Sequence, residues 1–155
     1  HRHKHFFPTV HIHLTIVQTV PVTGVIVVTT PQLVSLADAR KGIAMFGQAQ
    51  LKAPVIGLVE NMSYFTPAEL PDNKYYIFGK DGGKNLADEF DIPFLGQIPI
   101  VQSIREGGDS GVPIMASNDL ISKKAFEDFA GNAVRGIAMR NVNYEPTKIQ
   151  EIITA

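Results

Sequence analysis

The 155 residues contain no cysteine. Disulfides, zinc–thiolate sites and an iron–sulfur cluster ligated by this chain alone are therefore excluded. The absence says nothing of compartment. Charge of one sign is also lacking: 14 basic against 15 acidic residues leave a net −1. That balance argues against nucleic-acid and anionic-membrane partners, which need a basic face. No apolar run approaches the ~18 residues that span a bilayer. The amino terminus has none of the roughly 7–15-residue apolar centre of a secretory signal, so none is expected. Histidine is confined to the first 13 positions, so His-based acid–base catalysis by the remainder is not expected, and no catalytic triad is visible.

What is present is a 45% apolar chain about one domain long. A chain of this size can bury roughly 68–70% of its unfolded surface. Its first ten residues differ from the rest. His1, His3 and His5 alternate, and His11 and His13 extend the alternation. On an extended chain that period would align the imidazoles on one side. Such a tract suggests a metal site. The plainer expectation is a disordered or appended end at 1–10, because no Asp or Glu lies nearby to orient ligands.

Beyond Pro21 the pattern becomes regular. Residues 24–30, Gly-Val-Ile-Val-Val-Thr-Thr, form a β-branched run without polar alternation, which predicts a strand buried on both faces. Thr30-Pro31 predicts a helix start, with Thr30 as N-cap and Pro31 in the first turn. Leu33, Leu36, Ala37, Ile43 and Ala44 keep helical spacing, with an end near Gly47. Residues 54–60 read as a second buried strand. Gly83, Leu86, Ala87 and Phe90 predict a second helix over about 82–90, and 93–98 a third strand. Strands and helices alternating in this way predict βαβ units in a mainly parallel sheet flanked by helices, an α/β fold. Ser117-Asn118-Asp119 then offers a cap for a helix whose stripe is Phe126, Phe129, Ala130, Ala133, Val134 and Ile137. The default role for that helix is to cover the sheet, and a partner-binding role is the alternative. No repeat or second domain is apparent.

Ligands of open parallel sheets sit outside the carboxyl ends of the strands. Three loops are expected there: 29–32, 60–65 and 98–109. Asn61 directly follows a strand, and its amide offers the donor and acceptor that match an adenine edge. An Asn closing a turn would read identically. Pro99, Ile100 and Val101 present main-chain groups in an apolar surround, suited to one face of a base or simply to a loop. Arg105 suits a phosphate or carboxylate, or plain solvent. The segment Gly79-Lys80-Asp81-Gly82-Gly83-Lys84-Asn85 fails as a phosphate loop. The pattern G-x-x-x-x-G-K-[ST] ending there needs glycine where Phe78 stands and a hydroxyl where Asn85 stands. Gly82-Gly83 reads better as a helix start.

Several segments together resemble a known family. They are Thr19-Val20-Pro21-Val22-Thr23-Gly24-Val25-Ile26-Val27-Val28-Thr29-Thr30-Pro31-Gln32, Leu36-Ala37-Asp38-Ala39-Arg40-Lys41-Gly42, Val59-Glu60-Asn61-Met62-Ser63-Tyr64-Phe65, Phe78-Gly79-Lys80-Asp81-Gly82-Gly83 and Leu95-Gly96-Gln97-Ile98-Pro99. In this order they resemble the Mrp/ApbC family of P-loop ATPases, regarded as iron–sulfur cluster carriers and related to MinD and the nitrogenase iron protein. The likeness runs from about residue 11 to the end. It implies the carboxyl-terminal portion of a P-loop ATPase domain, with a helix near His11 and Asp38 and Arg40 on the helix after the first strand, a dimer face being one role for them. By resemblance Asn61 holds the adenine edge, and Pro99, Ile100 and Val101 line the other side of the base. The implied cofactors are ATP and Mg2+ in an intact parent. The implied setting is a cytoplasmic homodimer that serves iron–sulfur acceptor proteins, with no nucleic acid and no membrane.

Two departures qualify this. The family's Lys-Gly-Gly-Val-Gly-Lys-Ser type of loop and its aspartate-bearing switch segment are absent from the 155 residues. The expectation is a fragment that does not hydrolyse ATP alone, since the N–H cradle, lysine and magnesium-binding hydroxyl are missing. Many members also carry Cys-x-x-Cys after the segment ending at Phe65, where this chain has Thr66-Pro67-Ala68-Glu69. Direct cluster ligation is thereby in doubt. A MinD-like positioning or partition ATPase and a noncatalytic interaction module are the alternatives. The final residues, 141–155, hold Lys148 as their only base, which disfavours a membrane-targeting helix.

Overall fold

A computed structural model describes residues 8–48 and 53–147. Three strands, β1 (Val25–Thr29), β2 (Val55–Glu60) and β3 (Phe94–Gln97), form one parallel sheet in the order β1-β2-β3. The helices are α1 (Pro8–Thr19), α2 (Leu33–Phe46), α3 (Gly82–Glu89), α4 (Gln102–Ser110) and α5 (Leu120–Asn143), with a 3-10 turn at Ile114–Ala116. Two βαβ crossovers step across the sheet in one direction, so α2 and α3 share a face. On that face Leu58 packs with Ala39, Ile43, Leu86 and Ala87, and Val27 and Phe94 lie against them. The opposite pleat carries Ile26, Val59 and Leu95 against Ala125, Phe126 and Phe129 of α5. Alternation along each strand therefore sends successive side chains to two separate cores. Full burial of Leu58 contributes about 2–3 kcal/mol.

The predicted helix starts and stripes need correction. α2 begins at Leu33 with Gln32 as N-cap, so Thr30 does not cap it and Pro31 precedes the first turn. The reason is local: the Thr30 N–H donates to Ser35 Oγ at 2.9 Å, which holds 30–32 as a loop. The buried residues of α2 are Ala39, Ile43 and Phe46, with Leu36 partly buried beside them, whereas Leu33 is 85% exposed and Ala37 and Ala44 face outward. The α3 stripe matches expectation, with Gly83, Leu86 and Ala87 buried. Asp119 caps α5, its Oδ1 accepting from Ser122 N at 3.1 Å. Phe126, Phe129 and Ala133 turn inward, but Ala130, Val134 and Ile137 do not. Burial on both faces holds for β2 and fails for β1, where Val28 is 62% exposed. β1 pairs only with β2 among the described residues, and α5 packs on β2 and β3 instead.

Residues 8–19 are helical, as the resemblance implied near His11. The backbone at His11 and His13 is helical, so the extended conformation that the alternation needs is not adopted there. His1, His3 and His5 lie outside the described residues; of the end expected at 1–10, residues 8–10 are described and form the start of α1. Among the described residues no three His, Cys, Asp or Glu side chains come together as a metal site, and no helix is long and apolar enough to cross a membrane.

Candidate functional site

The carboxyl ends of the three strands are joined by main-chain hydrogen bonds. Asn61 N donates to Thr29 O at 2.7 Å, Ile98 N to Glu60 O at 2.8 Å and Ser63 N to Ile98 O at 3.0 Å. Ile100 N donates to Tyr64 O at 2.7 Å, which continues the pairing beyond β3. The three expected loops thus form one rim. The third is shorter than expected, because 102–110 is helix α4. Arg105 lies on that helix and pairs with Asp109 Oδ2 at 2.9 Å, an exposed carboxylate one turn away. Arg40 is likewise engaged inside the chain: its Nε and Nη2 donate to Glu89 Oε1 and Oε2 at 3.0 and 2.7 Å, clamping α2 to α3.

Asn61 stands half-buried at the rim. Its Oδ1 accepts from Met62 N at 2.9 Å, which helps Met62 hold its left-handed φ of 54°. Turn closure and ligand contact are therefore compatible. A carbonyl oxygen has two lone pairs, one remains, and no hydrogen bond among the described residues engages Nδ2. Pro99 is fully buried, so its main chain is what it offers the rim, whereas Ile100 and Val101 are half-buried. Two cavities, of about 950 and 710 Å³, include none of these four residues, although the smaller is walled in part by Tyr64 of the same rim and by Gln97.

Sequence reasoning passed over Glu60, the residue that holds the rim to α3. It is 0% exposed. Ser63 Oγ donates to its Oε1 at 2.5 Å, Gln97 Nε2 to the same oxygen at 3.4 Å, and Gly83 N to Oε2 at 2.5 Å. One of the N–H groups left over at the start of α3 is satisfied in this way. A Cβ on Gly83 would lie 2.9 Å from Oε2 and 3.0 Å from the Glu60 Cβ, so only glycine permits this approach. The missed signal was Glu at the end of an otherwise apolar strand, with Gly-Gly opening the next helix. A buried carboxyl needs several donors, and that pair makes room for one.

The family model for ParA, described as NUBPL iron-transfer P-loop NTPase, matches residues 8–134. An iron–sulfur cluster carrier protein from Synechocystis is 46% identical over 127 residues, 81% of this chain and 35% of the relative. An iron–sulfur protein required for NADH dehydrogenase, mitochondrial, from Arabidopsis thaliana is 42% identical over 80% of this chain and 39% of its own length. The chain therefore spans well under half of these relatives. A nucleotide-binding protein from Archaeoglobus fulgidus, in complex with ADP, superposes with a TM-score of 0.51 at 34% identity over 58% of this chain and 36% of the other. The cell-division ATPase MinD of Pyrococcus furiosus gives the same TM-score at 22% identity over 71% and 41%, a likeness of fold. The parallel sheet with helices on both faces, its sequence segments and these matches agree: the chain belongs to the ParA/NUBPL iron-transfer P-loop NTPase family, the Mrp/ApbC group of iron–sulfur cluster carriers.

Proposed function

We propose that this chain forms the base-side wall of the ATP site in an Mrp-type iron–sulfur cluster carrier. The observation that carries the reading is Asn61: half-buried, directly after the central strand, tied to Thr29 O, with Nδ2 and one Oδ1 lone pair left for a base. Its amide holds the adenine edge. Ile100 and Val101, with the main chain of Pro99, line the other side. The 155 residues hold no G-x-x-x-x-G-K-[ST] loop, so the phosphate grip and the Mg2+ hydroxyl belong to sequence outside them. This chain alone does not hydrolyse ATP in this reading. Delivery to acceptor proteins belongs to the same proposal, supported by relatives described as carriers and transfer proteins; a homodimer in the cytoplasm completes the reading, although one relative is described as mitochondrial. The cluster is cargo here. With no cysteine, this chain contributes no thiolate to it, and no transfer step is assigned to its residues.

The test joins this sequence to a phosphate loop in one polypeptide. Asn61→Ala there should weaken ATP binding by about 1–3 kcal/mol, the cost of unpaired base groups, as read by calorimetry. Unchanged affinity in a folded variant removes Asn61 from the site. Anaerobic reconstitution of that same polypeptide with iron and sulfide, followed by absorbance, separates a carrier from a positioning ATPase. A second reading, an interaction module, is favoured by β1: its Val28 is exposed, as are Leu33 and Val34 beside its carboxyl end.

A further inference from the structure

Asn61 can select a base only if its amide keeps one orientation, because an amide turned by half a circle exchanges its donor and its acceptor. The turn that carries it fixes that orientation. Met62 N donates to Asn61 Oδ1 at 2.9 Å, and a turned amide would set its own N–H against that N–H. Oδ1 therefore stays on the Met62 side with one lone pair to spare, and Nδ2 is left as the donor beside it. This bond requires Met62 to hold its φ of 54°, a left-handed conformation that persists in a non-glycine residue only where the surroundings impose it. Here the turn is closed from both ends. Ser63 N donates to Ile98 O at 3.0 Å, and Ile98 N to Glu60 O at 2.8 Å. The side-chain bond that spans the turn runs from Ser63 Oγ to Glu60 Oε1 at 2.5 Å, between two residues with no exposed surface. The carboxyl is itself held in place: Gly83 N donates to Oε2 at 2.5 Å, and Gln97 Nε2 approaches Oε1 at 3.4 Å.

We propose that Glu60 is a positioning residue for base selection: through Ser63 it locks the Asn61 amide in the orientation that accepts a 6-amino purine and rejects a 6-oxo purine. The proposal rests on the reading of Asn61 as the base contact. The pinned Oδ1 accepts from the 6-amino group, and Nδ2 donates to a ring nitrogen beside it. A 6-oxo group would set a second acceptor against Oδ1, a conflict that only a turned amide relieves. Glu60 has no exposed surface and acts through Ser63 alone. Titrating the 155-residue chain with AMP and with IMP, which share one ribose phosphate, and following the Met62 amide resonance tests this. AMP should bind about tenfold tighter than IMP, the worth of one hydrogen bond made or opposed. Ser63→Ala cuts the link and should bring the ratio of the two affinities close to one, with IMP gaining as AMP loses. Glu60→Gln keeps the link, because the Ser63 hydroxyl can donate to the new amide oxygen or accept from the new nitrogen, so most of the ratio should survive. Ile43→Ala opens core space beside Pro54 and Val55, at the far end of β2, and should leave the ratio unchanged. A purely structural role would weaken both nucleotides alike, as folded protein is lost, and preserve the ratio in every variant. A ratio unmoved by Ser63→Ala, with both nucleotides still bound, thus overturns the role of Glu60 and leaves the base contact standing. Equal affinities in the unaltered chain overturn the locked amide. Saturation by neither nucleotide overturns the base contact and this role together.

Discussion

Glu60→Ala should lower the unfolding free energy by about 3–4 kcal/mol, a large share of what a domain of this size possesses. The truncation removes the acceptor of Gly83 N and Ser63 Oγ, both within 2.5 Å of the carboxyl, in a place with no exposure. Each orphaned donor costs about 1–3 kcal/mol, and the vacated volume adds to it. Glu60→Gln keeps the volume and one acceptor oxygen. Its amide nitrogen faces Gly83 N or Gln97 Nε2, so the loss should be smaller, near 1–2 kcal/mol. Urea denaturation of the three proteins checks the order. A loss under about 1 kcal/mol for the alanine variant would show that the carboxyl does not anchor the rim. Because Glu60 also joins the start of α3 to the Asn61 turn, the amide resonances of 61–63 should shift in Glu60→Ala.

Gly57→Ala should cost about 3 kcal/mol, toward the upper end for overpacking. A Cβ at Gly57 would meet Pro93 O at 2.6 Å and the Leu95 side chain at 2.7 and 2.8 Å. Pro93 O is not free to retreat, since it accepts from Leu58 N at 2.9 Å and begins the pairing of β2 with β3. The substitution therefore sets a core contact against a ladder bond. Gly42→Ala is the matched control. In mid-α2 an added Cβ meets nothing within 4 Å, so this change should stabilise by about 0.5–1 kcal/mol through helix propensity. Thermal unfolding of the pair checks both signs. Equal effects at the two glycines would mean that propensity, rather than space, sets the cost at Gly57.

By itself the sequence determined the strands, the parallel class and the family segments, because β-branched runs at 25–29 and 55–60 and the period of α3 are local properties of the chain. It also determined that no thiolate comes from this chain. Tertiary structure decided which apolar residues are core. Leu33 and Val134 keep helical spacing yet face outward, because the sheet meets α2 and α5 on other sides. It decided that 102–110 is a helix, since the Gly107-Gly108 pair carries no local helix signal. It decided, too, that Glu60 is buried among donors from residues 63, 83 and 97. Those partners are separated by as many as 37 positions, and only packing of the strand ends brings them to one carboxyl.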